Sequence, residues 1–316
     1  FVSDETRLFF ELFNYVILCS VVAVVGIVSN IINIIVFCRQ GLYNTVNISL
    51  TALAVSELCS LASLLWFDIC VSPLFGSLNV PIVPSEVQHL TGGLVRGFFS
   101  RISNWITVFI TSERCLCVVA PMTVKKMITP TRTIKALLVM YVITVLPLVP
   151  EYLSAYLGWK FVEERNATLF GLTLTRDSPR LEGLTFLIYF IYILIAYVVV
   201  SCLTCILILK LKQKTDWRQK SIFGMQRSEV ISARDKKTIS MIVAVAIVFI
   251  VCNGPSVVLY MVGYLLPGFS VVGERENLFF VSWSFGFHFE ALNGTIVIMF
   301  YYKMSSKYRR SFLGLF

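Results

Sequence analysis

The chain has 316 residues, 57% of them hydrophobic and only 14% charged, with a mean hydropathy of +0.81; soluble domains carry nearer a quarter charged residues. That composition excludes a soluble globular protein. The net charge of +9 does not point to nucleic acid, because the basic residues gather in alternate connections between apolar runs.

Seven apolar runs approach or exceed the roughly 20 residues a helix needs to cross the hydrocarbon core: about 13–38, 46–70, 90–119, 134–150, 184–211, 238–266 and 278–302. They fill most of the chain and leave no room for a separate soluble domain. The expected fold is all-α: a single seven-transmembrane helix bundle over 1–316, with no internal repeat of the transporter kind. Arg39, the Lys125–Lys135 cluster, the many basic residues between Lys210 and Lys237, and Lys303–Arg310 mark one face as cytoplasmic. The N-terminus is therefore expected outside, and the basic inner face suits anionic membrane lipid. No separate cleavable signal is read, and the first span is expected to serve as its own insertion signal.

In the first run, Gly26, Ser29, Asn30 and Asn33 interrupt an Ile/Val-rich helix. Small residues let backbones approach, and a buried Asn can bridge two helices. The second run carries Glu57 near mid-membrane and Asp68 near its end. A lone carboxylate there needs a proton, a cation or a polar cluster; a hydrogen bond to Asn30 alone would also satisfy Glu57.

The stretch Arg96–Pro121 is the most informative. It reads as one long apolar helix, yet it holds Arg96 and Arg101 at one level, Ser103 and Trp105 below them, and Glu113–Arg114 at its far end. Charges in or beside a bilayer are expensive and are usually paired or functional. Two readings of Arg96 and Arg101 stand: an arginine fork for an anionic or zwitterionic ligand, or an intramembrane pair with Glu290 or Asp68.

The connection from about Glu151 to Gly183 is too long for a turn and is expected to be a lid or partial cover. It contains Asn166-Ala167-Thr168, a glycosylation acceptor in a loop the charge pattern puts outside. Two other matches to that pattern, at Asn47 and Asn293, fall at a span edge and inside a span. The fifth run has Tyr189, Tyr192 and Tyr197 as polar tips. The 212–237 loop is the most polar segment and includes Asp235. In the sixth run, Asn253-Gly254-Pro255 predicts a kink and a hinge. The seventh holds His288, Glu290, Asn293 and Tyr301, and the tail beyond it keeps Tyr308, Phe312 and Leu315 at helical spacing. That spacing predicts a short amphipathic C-terminal helix on the inner membrane surface. None of the nine cysteines lies within an outer loop, so no disulfide framework and no metal site is expected.

These residues together resemble a rhodopsin-like G-protein-coupled receptor. Ser29-Asn30 is similar to that family's Gly-Asn, and Asn47 with Leu53-Ala54-Val55-Ser56-Glu57 is similar to its Asn…Leu-Ala-x-x-Asp. Glu113-Arg114-Cys115 with Val118 and Pro121 resembles its Asp-Arg-Tyr…Val…Pro. Phe249, Cys252 and Pro255 resemble Phe…Cys-Trp-x-Pro, and Asn293 and Tyr301 match parts of the seventh-helix motif. Within the family, VNISLTALAVSELCSL, WITVFITSERCLCVV and LGWKF are most similar to mollusc chemosensory receptors. The resemblance implies a multi-pass plasma-membrane receptor for an extracellular small-molecule or peptide ligand, coupled to a heterotrimeric G protein. It implies that Arg114 pairs with Asp235 as a switch, with Glu113, Tyr197 and Tyr301 at the coupling end. Asn253, Gly254 and Pro255 would form the hinge, and Asp68, Arg96, Arg101 and Glu290 the ligand pocket. Asn30, Glu57, Ser103 and Asn293 would form a polar core.

The departures from that pattern are informative. Asn253 stands where the family has Trp, and Val297-Ile298 where it has Asn-Pro, so the sodium ligands are incomplete and no cofactor is expected. His89 stands where the family has a cysteine, and the 151–183 loop has no partner cysteine, which leaves that loop unpinned. There is no lysine between Leu278 and Tyr302 for a retinal Schiff base. A transporter or channel would use a chain of ionisable groups through the membrane, and these stop short of crossing. An enzyme is unsupported, since no nucleophile–base pair or phosphate loop is present. A neuropeptide receptor is the near alternative.

Overall fold

The structure is a computed structural model that describes residues 2–76, 78, 80–120, 122, 127–220, 233–269 and 273–315; positions 164, 179, 182, 211, 214–220 and 233–238 are described by backbone alone. Long helices dominate: α1 (Asp4–Arg39), α2 (Thr45–Val71), α3 (Pro84–Val119), α4 (Pro130–Ser154), α5 (Ser178–Lys220), α6 (Ala233–Leu265), α7 (Glu276–Met304) and α8 (Ser306–Leu313). Polar caps start several of them. Asn44 accepts from the Val46 amide, Thr129 precedes Pro130 at the first turn of α4, and Ser305 accepts from the Tyr308 amide, each satisfying an otherwise orphaned donor.

Among the described residues, α1 to α6 are long and apolar enough to cross a membrane. Helix α7 has the length, at 29 residues, but His288, Glu290 and Asn293 depress its hydropathy. Apolar side chains such as Val21, Val24, Val28, Leu138 and Val142 lie exposed along α1 and α4, an outer surface that only a lipid environment satisfies. The helices run past the apolar stretches read from sequence, because helical hydrogen bonding continues beyond the hydrocarbon core.

Helix α1 packs on α2 and α7, α2 on α3 and α4, α3 on α5 and α6, and α6 on α7. Glycines make room for side chains where α1, α2 and α7 meet. A Cβ placed on Gly26 would overlap Thr295 and Leu61, and one on Gly294 would overlap the Glu57 carboxylate. Into that space Asn30 sends its amide, donating to the Gly294 carbonyl at 2.8 Å and the Gly26 carbonyl at 2.9 Å.

The chain is not helical throughout. The 151–183 connection contains a β-hairpin, β1 (Ala155–Val162) antiparallel to β2 (Ala167–Leu174). Its tip is Asn166 at φ 44°, a left-handed conformation that Asn tolerates better than most residues. The absence of a disulfide does not leave this hairpin unpinned. Segment 81–83 joins β2 as a further backbone partner, with Phe170 N donating to Pro81 O at 2.8 Å and Val83 N to Phe170 O at 2.9 Å. Glu86 then accepts from the Leu172 amide at 2.7 Å and from Lys160 Nζ at 2.8 Å. Gly171 makes this possible, because a Cβ there would collide with the Glu86 carboxylate. Nearby, His89 Nε2 stands 3.4 Å from Glu151 Oε1, and the Tyr152 hydroxyl donates to the Leu90 carbonyl at 2.7 Å. Thus His89, at the position of the missing cysteine, takes part in a polar clasp between α3 and α4.

The tail also departs from expectation. Tyr308 does not face lipid: it is 1% exposed, its hydroxyl donates to Asn33 Oδ1 at 2.6 Å, and its ring packs against Phe37 and Tyr301. Helix α8 is therefore docked onto α1 and α7 through one buried ring.

Two outcomes follow. Gly26→Val, which overpacks the α1–α2–α7 junction, lowers the stability of the purified protein by about 1–3 kcal/mol, whereas Gly97→Ala, whose Cβ meets open space, is neutral or stabilising in the same thermal-unfolding assay. Glu86→Ala leaves the Leu172 amide without its acceptor, at a local cost of about 1–3 kcal/mol, and hydrogen exchange reads this as faster labelling of β2 with α5 and α6 unchanged.

Candidate functional site

Helix α3 positions charge at two levels, and the two arginines of the upper level are both buried. Arg96 and Arg101 are carried inward on the buried face of a helix that also buries Ser100, Ser103, Asn104 and Thr107 between apolar positions. On the facing helix, Glu290 is 8% exposed. Arg96 Nη2 donates to Glu290 Oε2 at 2.6 Å, and the Arg96 guanidinium lies over the Phe287 ring, 3.7 Å from its centre. This pairing is short and charge-assisted, and the ring beneath it supplies cation–π attraction.

Arg101 is held differently. Its Nη2 donates to the Tyr260 hydroxyl at 3.2 Å and lies 3.8 Å from Glu290 Oε1. Its Nε and Nη1 are buried without a hydrogen-bond partner, as are Trp283 Nε1 and Asn104 Nδ2. Tyr260 and Trp283 stack edge to face at 4.7 Å, with Phe186, Phe190 and Phe287 around them. The result is an aromatic wall enclosing two arginines and one carboxylate. Asp68, the other candidate at this level, does not hydrogen-bond to an arginine; Ser20 donates to it at 3.3 Å and its Oδ1 has no partner. Thus the structure brings together Arg96, Arg101 and Glu290 and holds Asp68 on Ser20.

Immediately inward lies a narrow polar cavity with room for about one water. Arg96, Ser100 and Asn104 line it from α3, Glu57 and Ser60 from α2, Asn253 from α6 and Glu290 and Asn293 from α7. Spacing of four residues puts the three α3 side chains on one face. Glu57 is not bonded to Asn30, as the sequence reading allowed: Asn293 Nδ2 donates to Glu57 Oε1 at 3.2 Å, while Asn30 serves the glycine carbonyls. The Ser103 hydroxyl donates to the Phe99 carbonyl at 3.0 Å. Farther along α6, Pro255 lies inside a continuous helix, and the Asn253 amide donates to the Phe249 carbonyl at 3.1 Å. A Cβ on Gly254 would meet the Tyr197 hydroxyl at 3.4 Å, so Tyr197 of α5 packs against the glycine face of α6.

At the α8 end, Glu113 Oε1 accepts from the Thr45 hydroxyl and from Arg114 Nη2, both at 2.5 Å. The switch partner read from sequence, Asp235, lies outside the described side chains. Arg114 is thus tied to its own neighbour, and Thr45 anchors that neighbour to α2. Tyr301 is buried against Phe37 and Tyr308.

The residues that sequence reasoning missed are Tyr260, Trp283, Phe287, Asn104, Thr45 and Glu86. A tryptophan inside an apolar run is a usable signal for Trp283. Nothing local marks the others, since each matters only through a helix far away in sequence.

Removing one partner of a buried pair leaves the other uncompensated, at about 3–5 kcal/mol. Arg96→Ala is expected to lose that much stability, while the double substitution Arg96→Met with Glu290→Leu recovers only part of it, because Arg101 also loses Glu290; a thermal-unfolding cycle on purified protein measures both.

No curated protein sequence matches the chain. A family model described as "Serpentine type 7TM GPCR chemoreceptor Srw" matches residues 15–316. That span takes in α1 from residue 15 onward, all of α2 to α7, both charged levels of α3, the hairpin and the docked α8. The chain is therefore a membrane protein of the serpentine 7TM G-protein-coupled chemoreceptor family, to which it belongs over nearly its whole length.

Proposed function

We propose that this chemoreceptor crosses the plasma membrane seven times with its N-terminus outside, binds a small extracellular molecule at the Arg96–Arg101–Glu290 level, and activates a heterotrimeric G protein by an outward swing of α6. The observation that carries this reading is that one helix, α3, holds buried charge at both ends: the Arg96–Glu290 pair near the hairpin and the Glu113–Arg114 pair near α8. Buried pairs of this kind serve better as switches than as stabilisers.

Several features support the rhodopsin-like, mollusc-type assignment. The Glu113–Arg114 step matches its signature, Pro255 removes a backbone donor within α6 where a swing needs a weak point, and Tyr197 and Tyr301 flank the α6 and α8 contacts. The basic loop between α5 and α6 supplies a transducer surface and a lipid-facing charge. Asn166, exposed at the hairpin tip, is the acceptor for an outer-face glycan. The absence of an aspartate on α3 facing Glu290 argues against amine ligands. A small ligand that favours the open state shifts a 1:99 equilibrium to 99:1 only with about 5.5 kcal/mol of differential binding. A peptide ligand is the second reading, favoured by Trp159 and Phe161 standing 64% and 60% exposed on β1.

Ligand-dependent nucleotide exchange decides the matter, measured with purified receptor and G protein against a panel of water-borne odorants and peptides. Exchange rises with at least one ligand class, and Arg114→Ala lowers the ligand-driven rate about tenfold, the loss of one charge-assisted contact. Ion flux in reconstituted vesicles without any G protein, with no ligand-driven exchange, would point instead to a transporter or channel.

A further inference from the structure

Two arginines and two carboxylates occupy the upper level of the bundle, yet they form only one hydrogen-bonded ion pair. Arg96 is spent: Glu290 holds its guanidinium edge and Phe287 covers its face. Arg101 is not. It is 3% exposed, it makes a single hydrogen bond, to a neutral phenol, and two of its three nitrogens have no partner. A buried polar group without a partner costs the full desolvation of that group. The Tyr260 ring, 5.7 Å from the Arg101 guanidinium, is also 4.7 Å from Trp283, whose indole N–H is likewise buried and unpartnered. The unmet groups beside Tyr260 are the donors of Arg101 and Trp283; the unmet carboxylate oxygens of this level are Glu290 Oε1, which already approaches Arg101, and Asp68 Oδ1, which belongs to the carboxylate held by Ser20.

We infer that Arg101, with the Trp283 indole, is the holding site for the carboxylate of a small organic acid, and that Arg96 is the resting counter-ion of Glu290 rather than a ligand contact. This rests on the receptor reading above and names its ligand class. A planar carboxylate accepts two parallel bonds from a guanidinium edge, which a neutral amide or an amine cannot reproduce. With the acid bound, each arginine has its own carboxylate, and the 3.8 Å pull of Arg101 on Glu290 is replaced by the ligand. The contact between α3 and α7 is then changed at the residue that also lines the inner cavity. Arg101 is buried against Tyr260, so a short acid is the ligand proposed, and entry requires the aromatic wall to part.

The test uses full-length receptor in lipid nanodiscs with acetate, propionate and butyrate, their primary amides, and sodium chloride as the ionic control. Thermal unfolding reads binding independently of signalling. The acids raise the melting temperature saturably while amides and chloride do not. Arg101→Gln abolishes the shift, and Trp283→Phe, which keeps a ring in place, weakens acid binding about tenfold. Glu290→Gln strengthens it by removing the competing carboxylate. Amides stabilising as well as acids, or an undiminished acid shift in Trp283→Phe and in folded Arg101→Gln, would overturn the inference. If the acids fail to bind while another ligand drives exchange, the acid site falls and the receptor reading stands. If the acids bind at Arg101 but exchange never responds to any ligand, the site stands and the transduction reading falls.

Discussion

In a lipid-embedded bundle no bulk water is available to an unpaired charge, and this single constraint fixes the placement of α3. Its arginines at 96 and 101 cannot face hydrocarbon, so they turn inward, where Glu290 on α7 pairs with Arg96 and the Tyr260 hydroxyl on α6 accepts from Arg101. At the other end Glu113 is buried as well and is met by Thr45 of α2 and by Arg114. The rotation of α3 about its axis and its height relative to α2 and α7 are both set by these contacts, because moving either strands a charge. Apolar packing fills the space around them but has no such directional demand.

Helix α7 ties the two levels of the molecule together. Over little more than three turns it presents Glu290 to the arginines, Asn293 to Glu57, the Gly294 carbonyl to Asn30, and Tyr301 to the Phe37–Tyr308 cluster. Together these contacts reach α1, α2, α3 and α8. A shift of α7 along its axis therefore disturbs all of them together, which is how packed interfaces behave: they change between discrete arrangements rather than deforming continuously. The glycine junction at Gly26 and Gly294 limits the freedom of that shift, since the backbones already sit where a single methyl group would collide.

The hairpin shows how a polar clasp can do the work of a missing covalent one. Backbone pairing with 81–83, the Glu86 carboxylate on Leu172 and Lys160, and the His89–Glu151 and Tyr152–Leu90 contacts hold the connection over the bundle. A disulfide acts mainly by restricting the unfolded chain. These contacts act in the folded state and can open and close reversibly, which suits a cover over a site that a ligand must enter.

What the sequence determined by itself is the class of the molecule. Long apolar runs, the alternation of basic connections and the charged stretch from Arg96 to Arg114 are local patterns, and local patterns are set by hydrogen bonding within one helix and by the thickness of a bilayer. The proline at 255 within the sixth helix and the polar character of Asn30, Glu57 and Asn293 were legible for the same reason. Only the tertiary structure decided partners. It took Arg96 to Glu290 and left Arg101 half matched, gave Glu57 to Asn293 rather than Asn30, sent Tyr308 into the core instead of the membrane, and pinned a loop that lacks cysteines through Glu86 and Gly171. Each choice joins residues far apart in the chain, so it depends on which helix faces stand opposite one another. That is a property of the packed bundle, not of any single stretch of it.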